Sequence, residues 1–273
     1  MSSLKKTIIY GTLTIGGVLI VGGGFYYLYK YFTEISPEEE ELKKKLIDIN
    51  EKEIFNSSNE LKEEGVIKII IKINHLSDYL YEKQNPNLDE KRRNVIDKEE
   101  EYIKLFADTL AEKKKAYDEA AEMVLNSLSI KINFDLIQQK LSLISPENME
   151  KLTLEYDELD EKEKHLNEEI AKNAFIYYAN QMNEQGNKLK EKIEGMGESI
   201  DQNQQLMEFL IIKMKIDDLM YIKYQTSMQS VKLFLYKNNL LNDESIKEAK
   251  EILEKIEAVN GNNNNIGSDN EDN

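Results

Sequence analysis

Histidine is the side chain best suited to acid–base chemistry near neutral pH and to metal binding, and it occurs twice, at His75 and His165. A helical bundle that holds two metal ions through carboxylates uses two Glu-x-x-His pairs. Lysine stands three residues before each histidine instead, at Lys72 and Lys162. The sequence therefore excludes the usual form of that metal site.

Carboxylates near His165 offer a looser metal site. Glu161, Glu168 and Glu169 lie about one helical turn away from it along the chain. They could hold a divalent cation weakly. Charged residues at this density are more typical of a solvated helix face, which is the interpretation that we favour.

Residues 85–89 begin like a calcium-binding loop, with oxygen-bearing side chains at Asn85, Asn87 and Asp89. Glu90 stands where such a loop needs glycine, and Ile96 replaces its bidentate glutamate, so a calcium loop is excluded. The glycine run at 22–24 lacks the Lys-Ser/Thr of a phosphate-binding loop. Without cysteine there is neither a thiolate nucleophile nor a cysteine zinc site.

We therefore expect no catalytic, cofactor-binding or metal-binding residue, no cofactor and no enzymatic activity. Catalysis by some of the abundant carboxylates stays open, since Asp and Glu are too numerous to single out.

The elements that carry these residues follow a long uncharged segment. Residues 7–29 lie between Lys6 and Lys30 and contain no charge. As an α-helix they would reach about 35 Å, slightly more than a hydrocarbon core of about 30 Å. Aromatic rings cluster at their far end, as expected at the headgroup level: Phe25, Tyr26, Tyr27, Tyr29 and Tyr31. We predict a short flank at 1–6 and a single transmembrane helix at 7–29 that contacts membrane lipid.

Two alternatives to this anchor remain open. A cleavable signal peptide could end at the small residues Gly22 and Gly24, but the apolar run is longer than the usual core and continues into the tyrosines. A buried helix of a globular core is the second alternative, although 23 uncharged residues are long for one. Small residues four apart, such as Thr7 and Gly11, leave open a homo-oligomer.

Charge limits the partners of the remaining chain. The net charge is −16, and the first 32 residues contribute three lysines and no acid, so the rest carries −19. This balance excludes nucleic acid and argues against lying flat on an anionic membrane. A basic protein surface is allowed. Lysines on both sides of residues 7–29 leave the orientation weakly determined; the lack of cysteine favours a cytosolic body, with a mitochondrial membrane also open.

Beyond the anchor, apolar residues recur at helical spacing. Ser36-Pro37 and Ser145-Pro146, each followed by glutamate, are helix-start signals. We predict helices over about 36–55, 61–81, 88–128, 134–141, 146–195, 200–236 and 243–259. At 61–81 the alternative to a helix is a strand. At 200–236 the alternative is a second membrane span, although internal charges argue against a position in lipid.

The fold class that follows is mainly α: an N-terminal transmembrane helix followed by an irregular helical bundle domain over 36–259 with partial coiled-coil character. A strict coiled coil is disfavoured because Glu163 occupies a seam position. Residues 260–273 are Asn-rich and acidic, and we expect them to be disordered.

These features predict a single-pass, membrane-anchored protein that acts as a tether, scaffold or accessory subunit through its helix faces. The alternative is a membrane-bound enzyme or a small-ligand-binding helical domain with no recognisable motif.

Overall fold

The predicted mainly α class is confirmed by a computed structural model, which describes residues 37–159, 163–196 and 202–262. These residues form no strand, although an isolated antiparallel bridge joins Phe55 and Leu61. None of the helices in the described ranges combines the length and apolarity that a bilayer crossing requires. The predicted transmembrane helix at 7–29 and residues 263–273 of the predicted tail lie outside these ranges.

The helices fall into two compact units. In chain order they are α1 (Pro37–Ile47), α2 (Glu51–Ile54), α3 (Glu63–Gln84), α4 (Leu88–Arg93), α5 (Glu99–Ser127), α6 (Phe134–Leu141), α7 (Pro146–Tyr156), α8 (Glu168–Met196), α9 (Gln202–Tyr224), α10 (Met228–Lys237) and α11 (Lys247–Asn262). Among the described residues, unit 1 comprises 37–92 together with Lys104–Asp157, and unit 2 comprises Arg93–Ile103 and the described residues between 158 and 262.

Unit 1 is built around α3. This helix packs against α1, α2, α6 and α7, so apolar residues are buried on most of its circumference. Its buried aliphatic residues are Val66, Ile67, Ile69, Ile70, Ile71, Ile73, Leu76 and Leu80. The helix that we predicted here is confirmed. Because it is buried on several sides, its β-branched run shows a pattern that a strand would also allow.

α2 and α3 approach each other very closely at Gly65. A Cβ atom at this position would lie 2.3 Å from the carbonyl oxygen of Ile54, well inside van der Waals contact. The same oxygen accepts a hydrogen bond from the backbone N–H of Lys62 at 3.0 Å. Asn56 stabilises the connecting turn, because its side-chain oxygen accepts hydrogen bonds from two backbone N–H groups at 2.9 and 2.8 Å.

Several predicted boundaries in the first half of the chain are confirmed. α1 begins at Pro37, α3 ends directly before Asn85-Pro86, and the Ser145 hydroxyl caps α7 by accepting a hydrogen bond from the N–H of Asn148. Two predicted helices were too long. The helix predicted over 36–55 ends at Ile47, and the one predicted over 88–128 is interrupted between α4 and α5.

Unit 2 is organised around α8, which packs against α9, α10 and α11. Fully buried alanines on α8, namely Ala171, Ala174 and Ala179, allow neighbouring helices to approach closely. The larger residues that complete this core include Phe175, Ile216, Met220, Val231, Leu235 and Ile246.

The long helices predicted in the second half of the chain are divided. The helix predicted over 146–195 ends at Tyr156, and α8 begins at Glu168. The helix predicted over 200–236 breaks at Gln225, which has a φ of 55°, before Ser227 caps α10. We had expected the helix at 200–236 to be the central one, but the central helix of unit 2 is α8. α11 extends to Asn262, three residues into the predicted tail.

Candidate interaction surfaces

The two histidines are each bound to groups of the protein. In unit 1, His75 Nε2 lies 2.8 Å from Asp157 Oδ1. In unit 2, His165 Nε2 lies 3.2 Å from the backbone carbonyl oxygen of Tyr224. Within the described ranges, no three His, Asp or Glu side chains are grouped as a metal ion would require.

The described carboxylates considered with His165 form no metal-binding group with it. Glu161 lies outside the described residues, and Glu168 binds the ammonium of Lys172 at 2.6 Å. Lys172 also contacts Asp243 at 2.7 Å. Hydrogen bonds from Lys172 and from the Ser245 hydroxyl and N–H hold the pKa of Asp243 well below its usual range. This partly exposed cluster joins α8 to the segment before α11, and its contacts are those of a structural ion pair.

The segment that resembles a calcium loop forms α4 instead. Its carboxylate Asp89 accepts hydrogen bonds from the Tyr81 hydroxyl at 2.8 Å and from Arg92 Nη1 at 2.6 Å. Arg92 is almost fully buried and also donates to Thr109 Oγ1 at 2.8 Å. Asp89 therefore neutralises a buried cation and is not arranged to bind an external ion.

The electrostatics of this cluster favour its charged form. Burial raises the pKa of Asp89, but the charges of Lys113 and Arg92, with hydrogen bonds from Tyr81 and Arg92, outweigh burial and leave it below the usual range. Burial and the nearby Asp89 carboxylate raise the pKa of Tyr81, so its hydroxyl stays protonated at neutral pH. Removing one partner of such a buried pair is costly, which indicates a structural role.

A second buried polar contact lies in unit 2. The Tyr102 hydroxyl donates to Asp218 Oδ2 at 2.8 Å, and both residues are buried. The Lys215 ammonium lies 5.1 Å from the Tyr102 ring, and the Arg93 guanidinium lies 4.1 Å from the Tyr221 ring. These contacts fasten residues 93–103 to α9. Sequence patterns could not identify them, because the bonded residues are 116 positions apart.

Unit 1 contains an open groove of about 600 Å³ beside the end of α1. Its charged lining includes Glu41, Lys44, Lys45 and Asp48, all exposed, while Leu128 is buried beneath. Ligand pockets of similar volume usually bury most of their ligand behind apolar walls. This groove keeps charges of both signs in contact with water, which is more typical of a surface that meets another macromolecule.

Large apolar side chains are exposed at several points of the described chain. In unit 1, Leu143 is 74% exposed in the turn after α6. In unit 2, Met207, Tyr221 and Ile222 of α9 are 39–48% exposed. Single exposed apolar residues are common on protein surfaces. On α9, Met207 and Ile222 are the more exposed of the three, since the Arg93 guanidinium lies against the Tyr221 ring.

Both groups of exposed residues belong to elements that the sequence assigned to a helical body, but their exposure could not be read from periodicity. α9 is apolar nearly all round, so its pattern does not distinguish the buried face from the exposed one.

Comparison of the chain with protein-family models, with curated proteins and with solved structures finds no match.

Proposed function

We propose that this chain is a single-pass membrane protein whose helical body acts as a tether, scaffold or accessory subunit. The observation that carries the proposal is the uncharged segment at 7–29, long enough as a helix to cross a hydrocarbon core of about 30 Å. Lysines bound it on both sides, and aromatic rings lie where the headgroups would be.

The described body supports a binding role more than a catalytic one. Two buried polar pairs are formed within the fold: Asp89 with Arg92 in unit 1, and Asp218 with Tyr102 in unit 2. Its exposed side chains include apolar residues, such as Leu143 and Ile222, and charged residues around the groove. Such groups mediate contact with a protein partner or with a second copy of the chain.

Flotation of the full chain with lipid vesicles tests the anchor. Val18 and Leu19 lie at the centre of the uncharged segment, and replacing both with arginine adds about 2.5–3.5 kcal/mol to insertion for each charge. We expect the wild type to float with the vesicles and this variant to remain in the soluble or aggregated fraction. The matched control carries Ser2→Arg and Ser3→Arg, the same added charge outside the segment, and should float. Equal flotation of the two variants would contradict the proposal.

The binding role has its own test. Leu143→Asp and Ile222→Asp place charge on the exposed apolar residues without filling or emptying a core. Each change alters the surface of one unit. We expect each to reduce the size of the native complex in mild detergent while leaving helical content unchanged. Ser142→Asp adds the same charge one residue from Leu143 and serves as the control. A complex unaffected by both changes would remove these surfaces from the proposal.

The lack of cysteine supports a cytosolic body, with attachment to a mitochondrial membrane as an alternative location. Protease treatment of intact organelles distinguishes the two sides of the membrane. With a cytosolic body, the described helices are digested before detergent is added. Digestion only after detergent would reverse this orientation.

A small-ligand-binding role is the second candidate, because the volume of the groove, about 600 Å³, lies within the usual range for ligand pockets. Ser127→Trp places a large side chain in the groove. If this change abolishes the protein's cellular role while Leu143→Asp and Ile222→Asp do not, ligand binding replaces tethering as the better account.

A further inference from the structure

α7 is fastened to α3 at its C-terminal end by an ion pair that depends on a proton. His75 lies in the middle of α3, and Asp157 is the C-cap residue that directly follows α7. Their Nε2 and Oδ1 atoms lie 2.8 Å apart, and the Asp157 side chain is only 11% exposed. Asp157 is also the last residue of unit 1, so this contact is made where the chain leaves that unit.

Two other features of α7 in the same region do not depend on a proton near neutral pH. Leu154 is buried, and the Lys68 ammonium lies 4.6 Å from the Tyr156 ring. A lysine keeps its charge until well above neutral pH, whereas a histidine changes its charge close to it. The strength of the α7 attachment can therefore vary with pH through His75.

The surrounding charges determine the direction of this dependence. From α7, the hydrogen bond to Asp157 raises the pKa of His75; burial opposes it, and the charges of Asp157 and of Asp78 on α3 raise it further. Lys72 on α3 lowers the pKa, and its ammonium donates to the backbone carbonyl oxygen of Lys45 at the end of α1, 3.4 Å away. Together these effects hold the pKa of His75 above the ordinary histidine pKa.

We propose that His75 and Asp157 form a proton-operated clasp, in which protonation of His75 strengthens the attachment of the end of α7 to α3 and loss of the proton weakens it. A histidine whose pKa is raised in the folded state contributes fully to stability below about pH 6.5. It loses that contribution as the pH rises through the folded-state pKa. The clasp is therefore closed in mildly acidic conditions and weakened in alkaline ones.

The effect of His75 deprotonation is local. Deprotonation leaves the mostly buried Asp157 carboxylate without the opposite charge of His75, whereas the cores of both units keep their apolar contacts. The expected response is opening of α7 from its C-terminal end and not unfolding of unit 1.

Hydrogen exchange measured by mass spectrometry on the full chain in detergent tests the clasp. At about pH 8.5, after correction for intrinsic exchange rates, α7 should show a protection factor roughly two- to fivefold lower than at about pH 5.5, as expected for a partly exposed ion pair. His75→Gln should remove this pH dependence, and His165→Gln should leave it unchanged. Equal protection at the two pH values, or the same pH dependence in His75→Gln, would overturn the proposal.

Nuclear magnetic resonance titration of the imidazole signals keeps the test decisive if His75→Gln folds poorly. The wild type should show His75 titrating above the ordinary value of about 6.5, and Asp157→Asn should lower that midpoint. A His75 midpoint at or below the ordinary value in the wild type would contradict the clasp.

Discussion

Gly65 is the position where a single added methyl group should be most damaging. In Gly65→Ala the new Cβ would lie 2.3 Å from the Ile54 carbonyl oxygen and 2.7 Å from the Ile54 Cα. Ordinary van der Waals contact begins at 3.4 Å, so α2 and α3 must separate by about 1 Å. The atoms in the way belong to the backbone, and a rotamer change cannot relieve them.

The cost follows from what must move with that backbone. Ile54 is fully buried in the unit 1 core, and its carbonyl oxygen is bonded to the Lys62 N–H, so separation disrupts both packing and a hydrogen bond. Overpacking costs about 1–3 kcal/mol, and a lost hydrogen bond about 1 more. Alanine in a helix recovers up to about 1 kcal/mol. With the full recovery, the net expectation is a destabilisation of about 1–3 kcal/mol.

Thermal unfolding followed by far-ultraviolet circular dichroism measures this change, with hydrogen exchange used to assign it to unit 1. A unit of this size should lose roughly 4–12 °C in its melting midpoint. Gly186→Ala is the matched control, because a Cβ there has no neighbour within 4 Å. It should stabilise α8 by about 0.5–1 kcal/mol. A Gly65→Ala midpoint at or above that of the wild type would refute the close approach of α2 and α3.

Three further predictions concern other parts of the fold. Asp89 has a lowered pKa, so its contribution to stability is present above about pH 4 and is lost as the pH falls through its folded-state value; acid denaturation of Asp89→Asn should accordingly converge with that of the wild type, and parallel curves would contradict this. Tyr102→Phe removes the hydrogen bond to buried Asp218 and should cost about 1–3 kcal/mol in urea unfolding of unit 2, whereas no change would show the bond to be dispensable. Asn59 has a φ of 59°, so Asn59→Gly should be neutral or stabilising, and Asn59→Ala destabilising by about 1 kcal/mol; the reverse order in melting temperature would argue against this turn.

The helical starts and stops that the sequence predicted depend on local chemistry. Serine followed by proline and glutamate marks the first residue of α1 and of α7, and Asn85-Pro86 ends α3. In these cases the capping groups and the restricted proline backbone act within a few residues. Periodicity alone was enough for α6, whose boundaries at 134 and 141 agree with the prediction.

The breaks that were missed depend on contacts between distant residues. α7 ends at Tyr156 without glycine or proline, next to Asp157, which is held by His75. The break at Gln225 requires a left-handed backbone that its residue type does not suggest, and Thr226 beyond it is fully buried. Long amphipathic patterns continue through such positions, so helical period alone joins helices that tertiary contacts separate.

The polar clusters were out of reach for the same reason. The pairs Tyr102 with Asp218, Lys172 with Asp243 and His75 with Asp157 join residues far apart in the chain. Charged and tyrosine residues are abundant here, so no spacing distinguishes the members of these pairs from solvated neighbours.

Carbonate extraction of membranes from cells that express the full chain tests the central claim most directly. We expect the intact protein, with its original amino terminus, to remain in the membrane pellet if the segment at 7–29 is the anchor that we propose. Recovery of the protein in the carbonate supernatant, or a mature chain that begins near Phe25, would contradict it.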